Sequence, residues 1–246
     1  MFYNKMLEDI TGEKLMYENA DTKIQSFGFS GVEHLICNRG EGQIDTGMMM
    51  NGLLNYVRNL GVQIVNAVSI NSWSKNHDDT ISVETNHDFS FKTNRILFTT
   101  NAFAKQLLPD LDVTPGRAQV LITQPIENLK VKGSFHIDQG FYYFRNVGDR
   151  ILFGGGRNLN FEGEKTYEFG LTAQIQETLE SILKKIILPN QKFEIDQRWS
   201  GIMGLGPVKS SIVKEISKNV YCAVRMGGMG IAIGSLIGEE AAEICG

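Results

Sequence analysis

The stretch NVYCAVRMGGMGIAIGSLIGEEAAEI, Asn219 to Ile244, reads as a strand (VYCAV), a tight turn (RMGG) and a helix beginning near Met229. Its glycines decide how it is read. Glycine costs about 1 kcal/mol relative to alanine in a helix interior, yet Gly230, Gly234, Gly238 and Ala242 recur every four residues. One explanation is a bare helix face that packs closely on a sheet. The other is a turn that meets a ligand, because the first N–H groups of a helix lack internal partners and its dipole favours negative charge there. The two are compatible. Gly228-x-Gly230 is only superficially a dinucleotide fingerprint: Gly234 falls one residue late, and no strand follows to complete a phosphate-binding βαβ unit.

Working outward from this unit, the chain alternates helical and strand patterns. HLICNRG (34–40) reads as a strand ending in a turn. Thr46 reads as an N-cap, followed by Met50, Leu53, Leu54, Val57 and Leu60 at helical spacing until Gly61. VQIVNAVSI (62–70) reads as a strand, then ISVET (81–85) and DFSFK (88–92) as a hairpin. RILFTT (95–100), apolar throughout, reads as a strand covered on both faces. It runs into a short helix, NAFAKQLLP. RAQVLITQPI, GFYYFRN and RILFGGGRN read as β, and Glu168 to Leu188 as the longest helix, with Leu171, Ile175, Leu179, Ile182, Leu183 and Ile186 on one face. The segments FEIDQRWSG and SIVKEI are further strands. This order, a β-rich middle between helix–strand units, predicts an α+β fold with two interleaved domains.

The totals narrow the function. The 246 residues carry a net charge of −4, with 42% hydrophobic and 21% charged residues, ordinary values for a soluble globular protein. No basic run supports binding to nucleic acid or an anionic membrane. The three cysteines are dispersed and form no CxxC pair, so they read as reduced thiols, and no metal site is expected. The N-terminus has acidic residues where a signal peptide has its apolar segment, and no apolar run is long enough to span a bilayer. A cytoplasmic protein is expected. HExxH, GxSxG and Walker motifs are absent, and the four histidines form no ligand-like set.

Two further stretches carry candidate chemistry. In GGGR (154–157) successive glycines suit backbone passing close to a ligand or another strand, or a flexible loop. In GFYYFRN, Tyr142 and Phe144 share one strand face, with Tyr143 and Arg145 on the other. Arginine binds carboxylates bidentately, so Tyr143, Arg145 and Arg157 are the candidate catalytic and substrate-binding residues. An aromatic core with a surface arginine is equally compatible with the spacing.

Taken in order, EGQIDTGMMMNGLLNYVRNLGVQIVNAVSI, RILFTTNAFAKQLLPDL, PGRAQVLITQPI, FYYFRNVGDRILFGGGRN, RWSGIMGLGP and NVYCAVRMGGMGIAIGSLIGEEAAEI resemble the FAD-dependent D-amino-acid oxidase/glycine oxidase/sarcosine oxidase family across Glu41 to Ile244. The resemblance implies FAD as cofactor and oxidation of the C–N bond of an amine or amino acid by hydride transfer to flavin. It implies a flavin domain of glutathione-reductase type (46–109 and 206–246, incomplete) and an antiparallel β-sheet substrate domain with helices (1–45 and 110–205). Ile70 matches the residue whose backbone contacts the adenine. Thr100 and Asn101 match the turn beside the diphosphate and ribose. Gly227, Gly228, Met229, Gly230 and Ile231 match the turn and helix start at the pyrimidine edge of the flavin.

The sequence departs from the family pattern in two ways. Family members open with a GxGxxG βαβ unit, and nothing like it occurs before Glu41. A misplaced start, a broken gene or a separate chain supplying that unit would account for this, and the alternative function is a non-catalytic remnant or subunit that does not bind FAD by itself. Second, Met203 in WSGIM stands where amino-acid oxidases of the family place a carboxylate-binding arginine. This favours an amine or modified amino acid over a simple α-amino acid as substrate.

Overall fold

The structure is a computed structural model and describes residues 2–246. In chain order the elements are α1 (Phe2–Thr11), β1 (Tyr17–Asn19), α2 (Ile24–Phe27), β2 (Ile36–Asn38), α3 (Thr46–Asn59), β3 (Ile70–Lys75), β4 (Ile81–Thr85), β5 (Ser90–Thr93), β6 (Ile96–Phe98), α4 (Ala104–Leu107), β7 (Thr114–Thr123), β8 (Ser134–Ile137), β9 (Tyr142–Val147), β10 (Arg150–Gly155), α5 (Ala173–Ile182), β11 (Ile195–Leu205), β12 (Ile212–Ser217), β13 (Val220–Val224) and α6 (Gly230–Cys245). Helices and mainly antiparallel sheets give the α+β class expected. Among the described residues no helix is long and apolar enough to cross a membrane.

The chain divides into two compact units. One comprises Met1–Asp45, Ala118–Asn160 and Gly170–Ser200; the other comprises Thr46–Arg117, Phe161–Phe169 and Gly201–Gly246. Five strands form a sheet of order β11-β7-β10-β9-β8.

In the first unit, α5 covers one face of this sheet. Ile175, Leu179 and Leu183 pack with Leu121, Phe144, Ile151 and Phe153, all buried. The helix begins later than its periodicity predicts. Thr172 is extended, and its N–H donates to the Gln119 side chain, while the N–H of Gly170 donates to Ser200 Oγ. These bonds hold the preceding residues out of the helix, so Leu171 is 48% exposed rather than on the apolar face. At the other end the last turn widens into a π-helix over Leu183–Ile187. The longest helix is instead α6, at 16 residues.

In the second unit, β13 lies between β12, antiparallel to it, and β6, parallel to it. All five β13 residues are buried, and alternation sends them to two cores. Val220, Cys222 and Val224 join Ile81, Val83, Phe98 and Leu108. Ala223 meets Ile237 and Ala241 of α6.

Three sequence expectations are corrected here. The segment 62–69 is not a strand: it is irregular, Ala67 has φ +61, and Val62 and Val65 are exposed because no strand pairs with them. β6 is not covered on both faces, since Leu97 is 37% exposed. The glycine stripe of α6 does not pack either. A methyl group on Gly234 or Gly238 would meet nothing within 4 Å, and the helix instead uses Ile237 and Ala241, with Ile233 beside them.

Candidate functional site

β6 is short because the chain turns sharply after Thr99 and Thr100. Asn101 sits at φ +47, a left-handed conformation that asparagine tolerates better than most residues. A 3-10 turn over Asn101–Phe103 then leads into α4. A cavity of about 960 Å³ runs along β6 from Arg95 to Thr100, and its lining includes Ile70, Arg95, Leu97, Thr100 and Phe103. Ligands of α/β proteins bind beyond the carboxyl ends of parallel strands, and β6 with β13 forms such a parallel pair. Leu97, the exposed residue of β6, supplies apolar wall, and Thr100 brings a hydroxyl. Arg95 is engaged at the far end of α6, where it donates to the carbonyls of Cys245 and Gly246, both at 2.5 Å.

Asn101 does not line this cavity. Its Oδ1 accepts the backbone N–H groups of Arg225 (3.0 Å) and Met226 (3.4 Å), which ties the β6 turn to the turn between β13 and α6. That second turn is unusual in its chemistry. Arg225 is left-handed at φ +64, a conformation costing a non-glycine residue roughly 1–2 kcal/mol. Its side chain is only 9% exposed. Nε donates to the Ser210 carbonyl (2.9 Å), and a terminal nitrogen donates to both the carbonyl and the carboxylate of Asp112 (3.1 Å each).

Two glycines of the β11–β12 segment make room for this arrangement. A methyl on Gly204 would collide with Asn101 Oδ1, and one on Gly206 would lie 2.5 Å from Arg225 Cδ. Gly227, at φ +58, donates its N–H to the Gly204 carbonyl at 3.0 Å. The turn is therefore anchored from below, yet a methyl on Gly227 or Gly228 would meet nothing within 4 Å. Met229 and Ile231 are about half exposed at the helix start. Of the residues matched to cofactor binding, the structure places Ile70 and Thr100 on one cavity, and Gly227–Ile231 on an open turn. Asn101 joins the two turns.

The candidate substrate residues lie in the other unit. Strand alternation keeps Tyr142 and Phe144 in the core and puts Tyr143 and Arg145 on the opposite, open face of the five-stranded sheet. Tyr143 faces Gly154 across the β9–β10 ladder and His136 across β8–β9. Gly154 is bare because the Tyr143 ring and Val120 fill the space where a side chain would be. Surrounding protein atoms desolvate the Tyr143 phenol and push its pKa above the ordinary value. Arg145 donates to the Ile44 carbonyl at 2.9 Å, which holds its guanidinium on this face. Arg157 stands apart from them, beyond the end of β10 in a 3-10 turn. The GGGR stretch is not a flexible loop. Gly155, at φ +122, lies so close to β9 that a methyl group would clash with the Phe141 carbonyl.

Three residues escaped the sequence reading. On β11, Arg198 points to α5, donating to Gln176 (2.8 Å) and Glu180 (2.6 Å), so alternation puts Trp199 on the face that carries Tyr143. Trp199 is 43% exposed. His136 joins the same face by register. The period-2 pattern of IDQRWSG held this information, but only the pairing of strands tells which parity is open. Arg225 had no local signal at all.

Among the described residues no cluster of His, Cys, Asp and Glu could hold a metal ion, and no strand–GxGxxG–helix unit occurs. A search of curated proteins by sequence finds no match. Solved structures match across nearly the whole chain. L-proline dehydrogenase from P. horikoshii is 19% identical with a TM-score of 0.77, covering 97% of this chain and 67% of that one. Iminodiacetate oxidase from Chelativorans sp. is 17% identical with a TM-score of 0.76, covering 98% and 66%. Glycine oxidase from Bacillus cereus is 12% identical with a TM-score of 0.78, covering 99% and 69%. The chain thus spans about two thirds of the length of these structures, which share its fold. The sequence profile of the FAD dependent oxidoreductase (DAO) family matches residues 12–244, and the chain belongs to that family.

Proposed function

We propose that this protein is a flavin-dependent oxidoreductase that oxidises the C–N bond of an amine or amino acid. One observation carries this reading. The turn that brings Thr100 to the cavity holding Ile70 is tied through the single oxygen Asn101 Oδ1 to the open turn preceding α6. An elongated cofactor needs two such separate contacts, and the residues present fit FAD. The Ile70 backbone would meet the adenine, the Thr100–Asn101 turn the ribose and diphosphate, and Gly227–Ile231 the flavin ring. Held there, FAD would supply a two-electron acceptor for the hydride of a substrate C–H bond next to nitrogen.

The protein's part is to bind, orient and polarise. The start of α6 offers N–H groups and the positive end of its dipole to charge that gathers at the pyrimidine edge during reduction. Bare Gly227 and Gly228 permit backbone approach. Tyr143, Arg145 and Arg157 would orient the substrate: Arg145 spends one donor on Ile44 and keeps others for a carboxylate. Met203 on β11 brings no charge, which favours an amine or a modified amino acid. In domain terms, segments 46–109 and 206–246 would serve the flavin, and 1–45 and 110–205 the substrate.

The test is titration of the purified 246-residue protein with FAD, followed by flavin fluorescence, then anaerobic mixing with a panel of amines and amino acids. Saturable binding and substrate-dependent bleaching near 450 nm (roughly the oxidised-flavin band) are expected. A second reading, a chain that does not hold FAD by itself and acts as one part of such an enzyme with a separate chain, is favoured by α3. No residue of that helix is buried, and Met48, Met50, Leu53 and Tyr56 are at least half exposed. Absence of FAD uptake at any concentration would select it and overturn the first.

A further inference from the structure

We infer that Arg225 is a positioning residue for the ligand-facing turn: its buried guanidinium pins a left-handed backbone that sets the direction of the N–H groups of Gly228, Gly230 and Ile231, while those of Met226, Gly227 and Met229 donate within the protein. The inference rests on the flavin reading of that turn and adds a residue to it. A turn that merely needs positive φ is made with glycine, which adopts it freely. Here the chain places glycines two and three residues later, at Gly227 and Gly228, and keeps arginine at the position itself. The side chain explains why. Four acceptors on two segments, the Ser210 carbonyl and hydroxyl, the Asp112 carbonyl and the Asp112 carboxylate, take its donors, while Asn101 Oδ1 takes the backbone N–H of Arg225 and of Met226. Gly206 lies against the stem, where a methyl would sit 2.5 Å from Cδ.

The turn is therefore fixed from three directions on one side, and on the other side Gly227 and Gly228 face open space. Rigid on one face and bare on the other is the arrangement that preorganised donors require, since their value comes from not having to reorient when charge develops. Arg225 contacts no candidate ligand group itself. It acts through Met226 and Gly227, and Asn101 is its partner in this task rather than a cofactor contact through its side chain.

The experiment compares wild type with Arg225→Gly, Arg225→Lys and Gly206→Ala by hydrogen exchange of the flavin-free protein and by FAD titration. Arg225→Gly retains the backbone freedom the turn needs, so exchange across β12, β13 and the α6 core should stay at wild-type rates. Exchange across 226–229 should quicken about 10-fold or more, and the FAD dissociation constant should rise about 10-fold, with a displaced flavin absorbance maximum. Arg225→Lys, which keeps the charge but loses the fork, should fall between. Gly206→Ala should reproduce the local effect with Arg225 in place, which guards against misfolding of the arginine variants. Unchanged exchange at 226–229 overturns the inference, as does quickened exchange with unaltered FAD affinity and spectrum. Wild-type protein that takes up no FAD overturns the flavin reading instead, and the exchange comparison alone then decides whether Arg225 holds the turn.

Discussion

A methyl group on Gly155 would meet the Phe141 carbonyl and the Tyr142 Cα, both backbone atoms that cannot yield, in a conformation at φ +122. Gly155→Ala should therefore cost about 3 kcal/mol or more, seen as a fall in the thermal midpoint, whereas Gly234→Ala in open space on α6 should raise helix stability by up to about 1 kcal/mol. Equal loss at both positions would contradict the close approach described for β10. Cysteine reactivity offers a second test at single residues. Burial pushes the Cys222 thiol up, while Cys37 and Cys245 are half-buried. Alkylation at neutral pH should label Cys37 and Cys245 first and leave Cys222 until the protein unfolds. The Arg117–Glu164 pair is closed by two bonds at 2.8 and 3.0 Å, with the Glu164 side chain fully buried. Removing the guanidinium by Arg117→Ala takes both of these bonds from a buried carboxylate and should destabilise by about 3–5 kcal/mol in denaturant titrations.

Among the elements, α3 and β10 make a useful contrast. Leu53→Ala on α3 removes a side chain already 50% exposed and should change stability by less than about 1 kcal/mol, while Phe153→Ala on β10 removes a fully buried ring and should cost about 3–5 kcal/mol. The β1–β2 hairpin region has its own pH signature. The Asn19 side chain, the Leu35 N–H and His34 together hold the Asp21 carboxyl down at about 2 from an ordinary 3.8. His34, bonded to the same carboxylate, is raised above 6.5. The signs differ. The Asp21 contribution is complete above 3.8 and lost as pH falls through about 2, and that of His34 is complete below 6.5 and lost as pH rises through its raised value. An NMR titration should place the His34 midpoint above 6.5 and return it toward that value in Asp21→Asn. A midpoint that ignores the substitution would remove the pairing.

For the molecule as a whole, what could be read in advance was whatever is local. The alternation of FYYFRN gave β9 and its two faces, and the turn before Met229 gave the start of α6. The misread segments share a cause. VQIVNAVSI has strand composition but no strand pairs with 62–69, and the start of α5 was decided by Gln119 and Ser200, residues distant in sequence. The candidate site shows the same division. Thr100 and Gly228 were visible as turn residues beside strands, whereas the Asn101–Arg225 bond spans 124 positions and no periodicity announces it. Trp199 lay in plain view, but which parity of β11 faces outward depends on Arg198 reaching α5.

The chain passes between its two units after Asp45, Arg117, Asn160, Phe169 and Ser200. Each unit is thus assembled from three separated lengths of polypeptide, and neither can be cloned as a contiguous fragment. A protease cut after Arg117, Asn160 or Phe169 separates parts of both units, whereas a cut after Asp45 or Ser200 divides only one of them. Early folding must hold distant lengths of chain in reserve until their partners emerge, so synthesis of the last 46 residues, Gly201–Gly246, is the event that lets the unit carrying Ile70, Thr100 and Arg225 close.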